Sequence, residues 1–236
     1  MAKRATICAV AALKGGCGKS SYNIMLADYL YNAKNKKVLL IDCDDDQHSI
    51  SHWREFEKST GVPEDKLYPI LSEIDSADVA SQIRALIDHY DYIIIDLPGN
   101  LKQKGVKTVY ALMDVVFVPT QVDYDTLKAH TSFLNKMDEV NADRVKTLKQ
   151  NSTKYYGFLA RVNPRMTNVK NMVNNLDGGF DDRLPMLETV IPVMNKEYQQ
   201  KVTTLGYRNK SKYGHKFKML SEEMLTELNK LKNKAL

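Results

Sequence analysis

All-apolar runs alternate along the chain with stretches whose apolar residues recur at helical spacing. Ala5 to Ala12 reads as a buried strand. Beyond a glycine-rich turn, Ser20 to Tyr31 reads as a helix, with Ile24, Ala27, Leu30 and Tyr31 on one face. Val38 to Ile41 predicts a second strand and Gln47 to Lys58 a second helix. Tyr92 to Ile95 and Val115 to Val118 are further apolar strands, with a helix over Gly105 to Met113 between them. A helix over Asp125 to Val140 and a strand over Tyr156 to Val162 follow. The polar stretches Asn141 to Thr153 and Asp177 to Asp182 read as surface loops. Continuous apolar strands separated by helices specify an α/β fold: a doubly wound, mostly parallel sheet with helices on both faces.

Length and composition add limits. The 236 residues suit a single domain, 1–236, with a basic carboxyl-terminal helical part from about residue 195. No apolar run reaches the roughly 18 residues needed to cross a bilayer. The start lacks the apolar stretch of a signal peptide, so a cytoplasmic location is expected. Cys8, Cys17 and Cys43 form neither a disulfide framework nor a zinc-ligand pattern. The net charge of +5 is uneven, because Lys196 to Leu236 alone carries ten Lys/Arg against four Glu. That tail points to an anionic partner, or to a solvated lysine-rich surface.

The chemistry concentrates in the first hundred residues. Lys14-Gly15-Gly16-Cys17-Gly18-Lys19-Ser20 lies between the first strand and the first helix. Glycines let a loop curl its N–H groups around a phosphate, and the following helix adds its positive end. Lys19 is placed to reach the β- and γ-phosphates, and Ser20 to ligate Mg²⁺. The first glycine of the usual phosphate-loop pattern is absent, with Leu13 in its place, and a second lysine, Lys14, appears instead. Val38 to Asp44 ends a strand in Asp42-Cys43-Asp44, two carboxylates on one side. Asp91 to Gly99 is an apolar strand ending in Asp96, followed by Leu97-Pro98-Gly99. Ligands in open α/β sheets sit at such carboxyl ends.

With its extra lysine, the loop is a deviant Walker A motif, and the chain resembles the ParA/MinD group of P-loop ATPases, ParA-type DNA partition ATPases in particular. The resemblance covers residues 5 to about 205 and is sharp in the first hundred. It implies ATP and Mg²⁺ as cofactors and assigns nucleotide contacts to Gly15, Gly16, Cys17, Gly18, Lys19, Ser20 and Ser21. It gives Lys14 a role at the partner subunit's nucleotide, makes Asp44 the residue that positions the attacking water, and places Ser20, Asp42 and Asp96 at the metal. Gln47-His48-Ser49-Ile50 continues the match, whereas Asp46 departs from it, standing where the family has proline. For Asp45 and Asp46 helix N-capping is the preferred reading. Asn163 and Pro192 occupy positions where the family contacts adenine, or simply end strands.

Lys201, Arg208, Lys210, Lys212, Lys216 and Lys218 form a run without an acid, interleaved with Tyr207, Tyr213 and Phe217. Such a cluster suits phosphate-backbone contact without sequence readout, and the resemblance implies nonspecific DNA binding there. It also implies an ATP-dependent homodimer, a ParB-like centromere-binding partner that triggers an otherwise slow hydrolysis, and nucleoid association. A MinD-like membrane-associated positioning ATPase is the main alternative. Phe217, Leu220, Met224, Leu228 and Leu231 form a helical apolar stripe. Glu222, Glu223 and Glu227 on its polar side disfavour anionic lipid, so packing on the core is expected. An ATP-dependent ligase, or a relative of the nitrogenase iron protein, is a metabolic alternative; the latter needs cysteines beyond Cys43, and there are none.

Overall fold

A computed structural model describes residues 4–13, 16–43, 49–72, 75–121, 124–163, 165, 167, 181–193, 204–205 and 214–234. The strands are β1 (Thr6–Val10), β2 (Val38–Asp42), β3 (Ile70–Leu71), β4 (Tyr92–Asp96), β5 (Val115–Thr120), β6 (Lys154–Val162) and β7 (Ile191–Pro192). They lie in the order β3-β2-β4-β1-β5-β6-β7, and every pairing among the described residues is parallel. All their carboxyl ends therefore share one edge. The helices are α1 (Lys19–Asp28), α2 (Ser49–Ser59), α3 (Val79–Leu86), α4 (Val106–Leu112), α5 (Tyr124–Asp143) and α6 (Gly214–Lys234).

Successive strand residues point to opposite faces, and this builds two cores from the same strands. On one face Ile7, Ala9, Leu39, Ile41, Ile93, Ile95, Val116 and Val118 meet α3, α4 and α5 through Ile83, Val109 and Phe133. On the other, Cys8, Val10, Leu40, Ile94 and Phe117 meet α1, α2 and α6 through Leu26, Ile50 and Leu228. Phe217, Leu220, Met224 and Leu228 of α6 are buried there, with Leu231 partly buried against the same cluster. The stripe on α6 is thus consumed by the core, as expected. No helix among the described residues is long and apolar enough to cross a membrane.

Among the described residues, β3, α3 and the winding after Asn141 differ from the sequence expectation. The short edge strand β3 and helix α3 were not foreseen. The stretch from Asn141 is not a loop throughout, because α5 runs to Asp143 and continues as a π-helical turn over Arg144–Leu148. Arg144 is the cause. Its buried guanidinium donates to Asn151 O at 2.6 Å, Ala111 O at 2.7 Å and Asp114 Oδ1 at 2.9 Å, drawing the chain inward. Asp177 to Asp182 lies mostly outside the described residues.

A second buried polar knot joins α2 to the carboxyl-terminal part. Thr204 is fully buried; its N–H donates to Glu57 Oε1 at 2.8 Å and its hydroxyl to Glu57 Oε2. Arg54 donates to the Thr204 hydroxyl through Nε at 3.1 Å and Nη2 at 3.0 Å, and Tyr68 Oη donates to Thr204 O at 3.0 Å.

Candidate functional site

The loop after β1 gathers the candidate chemistry at the carboxyl edge of the sheet. Gly16 has φ 68° and Gly18 φ 89°, left-handed backbone that a side chain would strain. A Cβ on Gly18 would also lie 3.1 Å from the Tyr22 ring. Gly18 N-caps α1 with no side-chain capping bond and no acid in the first turn. Gly18 therefore supplies no capping side chain to the first turn of α1, where the Lys19 N–H meets the Cys17 thiol, and a helix start of this kind suits a phosphate. Lys19 and Ser20 are half-buried and Ser21 is exposed at this helix start, while Cys17 is buried beneath the loop. Burial raises the Cys17 thiol pKa above its ordinary value, with the Lys19 charge opposing. Lys14 and Gly15 lie outside the described residues.

Asp42 and Asp96 end neighbouring strands and are partners in the parallel register. Both are buried. Asp96 accepts a hydrogen bond from Ser20 and another from Asn23 Nδ2 at 2.7 Å. Burial pushes its carboxyl up to about 7; the Asp42 charge adds to this, while the Ser20 and Asn23 hydrogen bonds and the Lys19 charge oppose it. Asp44, the candidate water-positioning residue, lies outside the described residues with Asp45, Asp46, Gln47 and His48.

Asn23 was not singled out from sequence. It is fully buried, accepts from Val10 N at 2.6 Å, and donates to Val10 O at 3.1 Å as well as to Asp96. One side chain therefore fixes α1 to both β1 and β4. The available signal was an amide amid the apolar residues of α1, on a helix covered by the core. Arg161 was also passed over. It holds φ 55° near the end of β6, and its guanidinium donates to the Gly16 carbonyl. This contact brings the end of β6 beside the phosphate loop. Val162 pairs with Pro192, and Val193 N donates to Val162 O at 3.0 Å, so Asn163 and Pro192 end adjacent strands on this same side. Asn163 and Val193 are exposed there.

The donor set fits the implied ligands. Mg²⁺ prefers hard oxygen ligands and usually takes one or two carboxylates, with phosphate and water completing its shell. Ser20, Asp42 and Asp96 offer such oxygens beside a loop shaped for phosphate. Among the described residues no three His, Cys, Asp or Glu side chains gather as a metal cage.

Of the basic run, only Lys216 and Lys218 fall within the described residues, on the first turns of α6. Lys218 is exposed and approaches Glu222 at 4.0 Å. Lys201, Arg208, Lys210 and Lys212 lie outside them.

A parallel sheet with helices on both faces and a glycine-shaped loop between β1 and α1 defines a P-loop nucleotide-binding protein. The CobQ/CobB/MinD/ParA nucleotide-binding domain matches residues 8–210, and the chain belongs to that family. It is 31% identical over 156 residues to the chromosome-partitioning ATPase Soj of Thermus thermophilus, covering 57% of this chain and 62% of that one. A plasmid partition protein from Borrelia burgdorferi bound to AMPPNP superposes with a TM-score of 0.66 at 20% identity, over 95% of this chain and all of the other. The cell division protein MinD of Aquifex aeolicus superposes with a TM-score of 0.67 at 17% identity, over 94% and 97%. At these identities the two structures speak for the fold.

Proposed function

We propose that this chain, acting as one domain over residues 1–236, is a ParA-like ATPase that partitions plasmid or other mobile-element DNA. ATP occupies the loop from Gly15 to Ser21, with its base toward Asn163 and Pro192. Lys19 is the counter-charge to the phosphates. Ser20, Asp42 and Asp96 hold Mg²⁺, which when bound neutralises phosphate charge and polarises the transferred group. Asn23 and Ser20 orient the Asp96 carboxylate. Asp44 positions the attacking water, and Lys14 reaches across a dimer formed face to face on ATP. The dimer binds DNA without sequence preference through Lys201 to Lys218, in the cytoplasm on the nucleoid. A ParB-like centromere-binding protein then accelerates an otherwise slow hydrolysis.

The observation that carries the nucleotide reading is the shared site of Ser20, Asn23 and Asp96 behind a loop with two left-handed glycines. DNA is favoured over a MinD-like membrane role because the apolar stripe of α6 is spent against the core. Nonspecific duplex DNA binding, measured with ATP, ADP and no nucleotide, tests the reading. Binding with ATP alone is expected. Equal binding in all three states, or ATP-dependent cosedimentation with anionic liposomes in place of DNA binding, overturns it.

A further inference from the structure

A cleft of about 640 Å³ opens at the amino-terminal edge of the sheet, the edge away from the phosphate loop. Arg4 precedes β1, Asp114 precedes β5, Lys154 opens β6 and Lys149 follows the π-helical turn, while Lys232 enters from the last turn of α6. With Arg144, five cations and a single carboxylate line it.

That carboxylate is already committed. Asp114 accepts from Arg4 at 2.8 and 3.1 Å, from Arg144 at 2.9 Å and from Ile7 N at 3.0 Å. Arg144 also donates to the carbonyls of Asn151 and Ala111. Lys232 lies 3.7 Å from the centroid of the Tyr92 ring and donates to Asp91 O. Lys149 and Lys154 are exposed, and among the described residues neither meets a carboxylate. The cleft therefore carries a net positive charge that its own acid does not cancel.

The kind of donor left over identifies the ligand. A site for one small anion aims buried donors at a point, and here each nitrogen of the buried guanidinium already serves an acceptor within the protein. What remains is exposed ammonium groups on flexible stems around an open cleft, the arrangement that meets a chain of phosphates without reading bases. We propose that this cleft is a second contact for the phosphodiester backbone of duplex DNA, separate from the run Lys201 to Lys218; its partner class rests on the DNA-binding reading above. Lys218 and Lys232 stand at opposite ends of α6, roughly 20 Å apart at about 1.5 Å per residue. Glu222, Glu223 and Glu227 lie between them, so Lys218 and the cleft can be altered one at a time.

The test titrates the full chain with a fluorescent 30-base-pair duplex across a salt series, with ATP and without nucleotide. The double variant Lys149→Ala/Lys154→Ala is compared with Lys149→Arg/Lys154→Arg and with Arg208→Ala/Lys210→Ala. Loss of two phosphate contacts flattens the slope of log K against log salt by about 1.8 and weakens binding roughly 10- to 50-fold near 0.1 M salt. The alanine pair is expected to show this with ATP, with ATP affinity and melting temperature unchanged, and the arginine pair to restore it. An alanine pair with wild-type slope and affinity overturns the cleft contact while leaving the partition reading standing. Wild-type DNA binding that ignores ATP counts against the partition reading, and the cleft contact still stands if the slope flattens. Stoichiometric binding of tripolyphosphate, lost in the alanine pair while the DNA slope stays fixed, makes the cleft a free-anion site and overturns the duplex assignment.

Discussion

Asn23 donates a 2.7 Å hydrogen bond from Nδ2 to Asp96 Oδ1, tying the helix behind the phosphate loop to the carboxylate on the neighbouring strand. Because the same amide holds both backbone groups of Val10, its loss strands three buried polar atoms. Asn23→Ala is expected to lower unfolding free energy by about 1–3 kcal/mol per group left unsatisfied and unrelieved by water. Urea denaturation measures this. Mg²⁺-dependent ATP affinity should fall with it, since Asp96 loses an orienting partner. An Asn23→Ala protein as stable as wild type would show that the clamp contributes nothing.

Protonation of Asp96 sets a pH dependence. Burial holds its folded pKa near 7, above the roughly 4 of an unfolded aspartate. The nucleotide-free fold therefore retains a proton that the unfolded chain has released between these values. The resulting stability is fully present below about pH 4 and is lost as pH rises through 7. Melting temperature of the nucleotide-free protein should carry this contribution, and Asp96→Asn should remove it. Mg²⁺ needs the ionised carboxylate, so Mg²⁺ affinity should rise over the same range. A Mg²⁺ affinity that is flat from pH 5.5 to 8 would place the metal elsewhere.

The continuous apolar strands made most of the fold legible in the sequence, because a parallel sheet covered on both faces leaves no polar alternation to confuse the pattern. β3 escaped notice because Ile70–Leu71 is a two-residue edge pairing with almost no periodicity to detect. The winding of 144–148 was hidden because Arg144 is drawn inward by Ala111 and Asp114, acceptors some thirty residues away. Local composition there reads as solvated loop. The site divides in the same way. A contiguous motif announces the loop from Gly15 to Ser20, whereas Asn23 and Arg161 act through backbone atoms brought near only by the fold.

The two lysines of the loop should separate in function. Lys19→Ala removes the main phosphate counter-charge, and charge-assisted hydrogen bonds contribute about 1.5–3 kcal/mol. ATP affinity is expected to fall by roughly 10- to 150-fold. Lys14→Ala should bind ATP nearly as the parent does yet fail to dimerise, as gel filtration with ATP reads out. Normal dimerisation of that variant would end the cross-subunit assignment.

Asp44→Ala should bind ATP and dimerise but turn over slowly, because phosphate contacts remain while the water loses its positioning group. Single-turnover phosphate release measures the rate. If nucleotide binding disappears instead, Asp44 belongs to the metal or the fold.

Leu228 is fully buried between α6 and the sheet. Leu228→Ala should cost about 2–5 kcal/mol of stability, the range for truncating a buried leucine. An α6 that served a membrane in place of the core would show almost no loss.

The Thr204 knot and the basic residues on either side of it respond differently to ionic strength. Arg54 and Glu57 offset each other's charge out of reach of solvent, where counterions screen little. Exposed lysines such as Lys218 sit in the fully screened regime. Raising salt should therefore release a bound polyanion while the attachment of the carboxyl-terminal part to α2 stays intact. The helix holding Thr204 is the one that follows the strand ending in Asp42, so that point of the chain stays tied to the nucleotide side of the sheet even when no polyanion is bound.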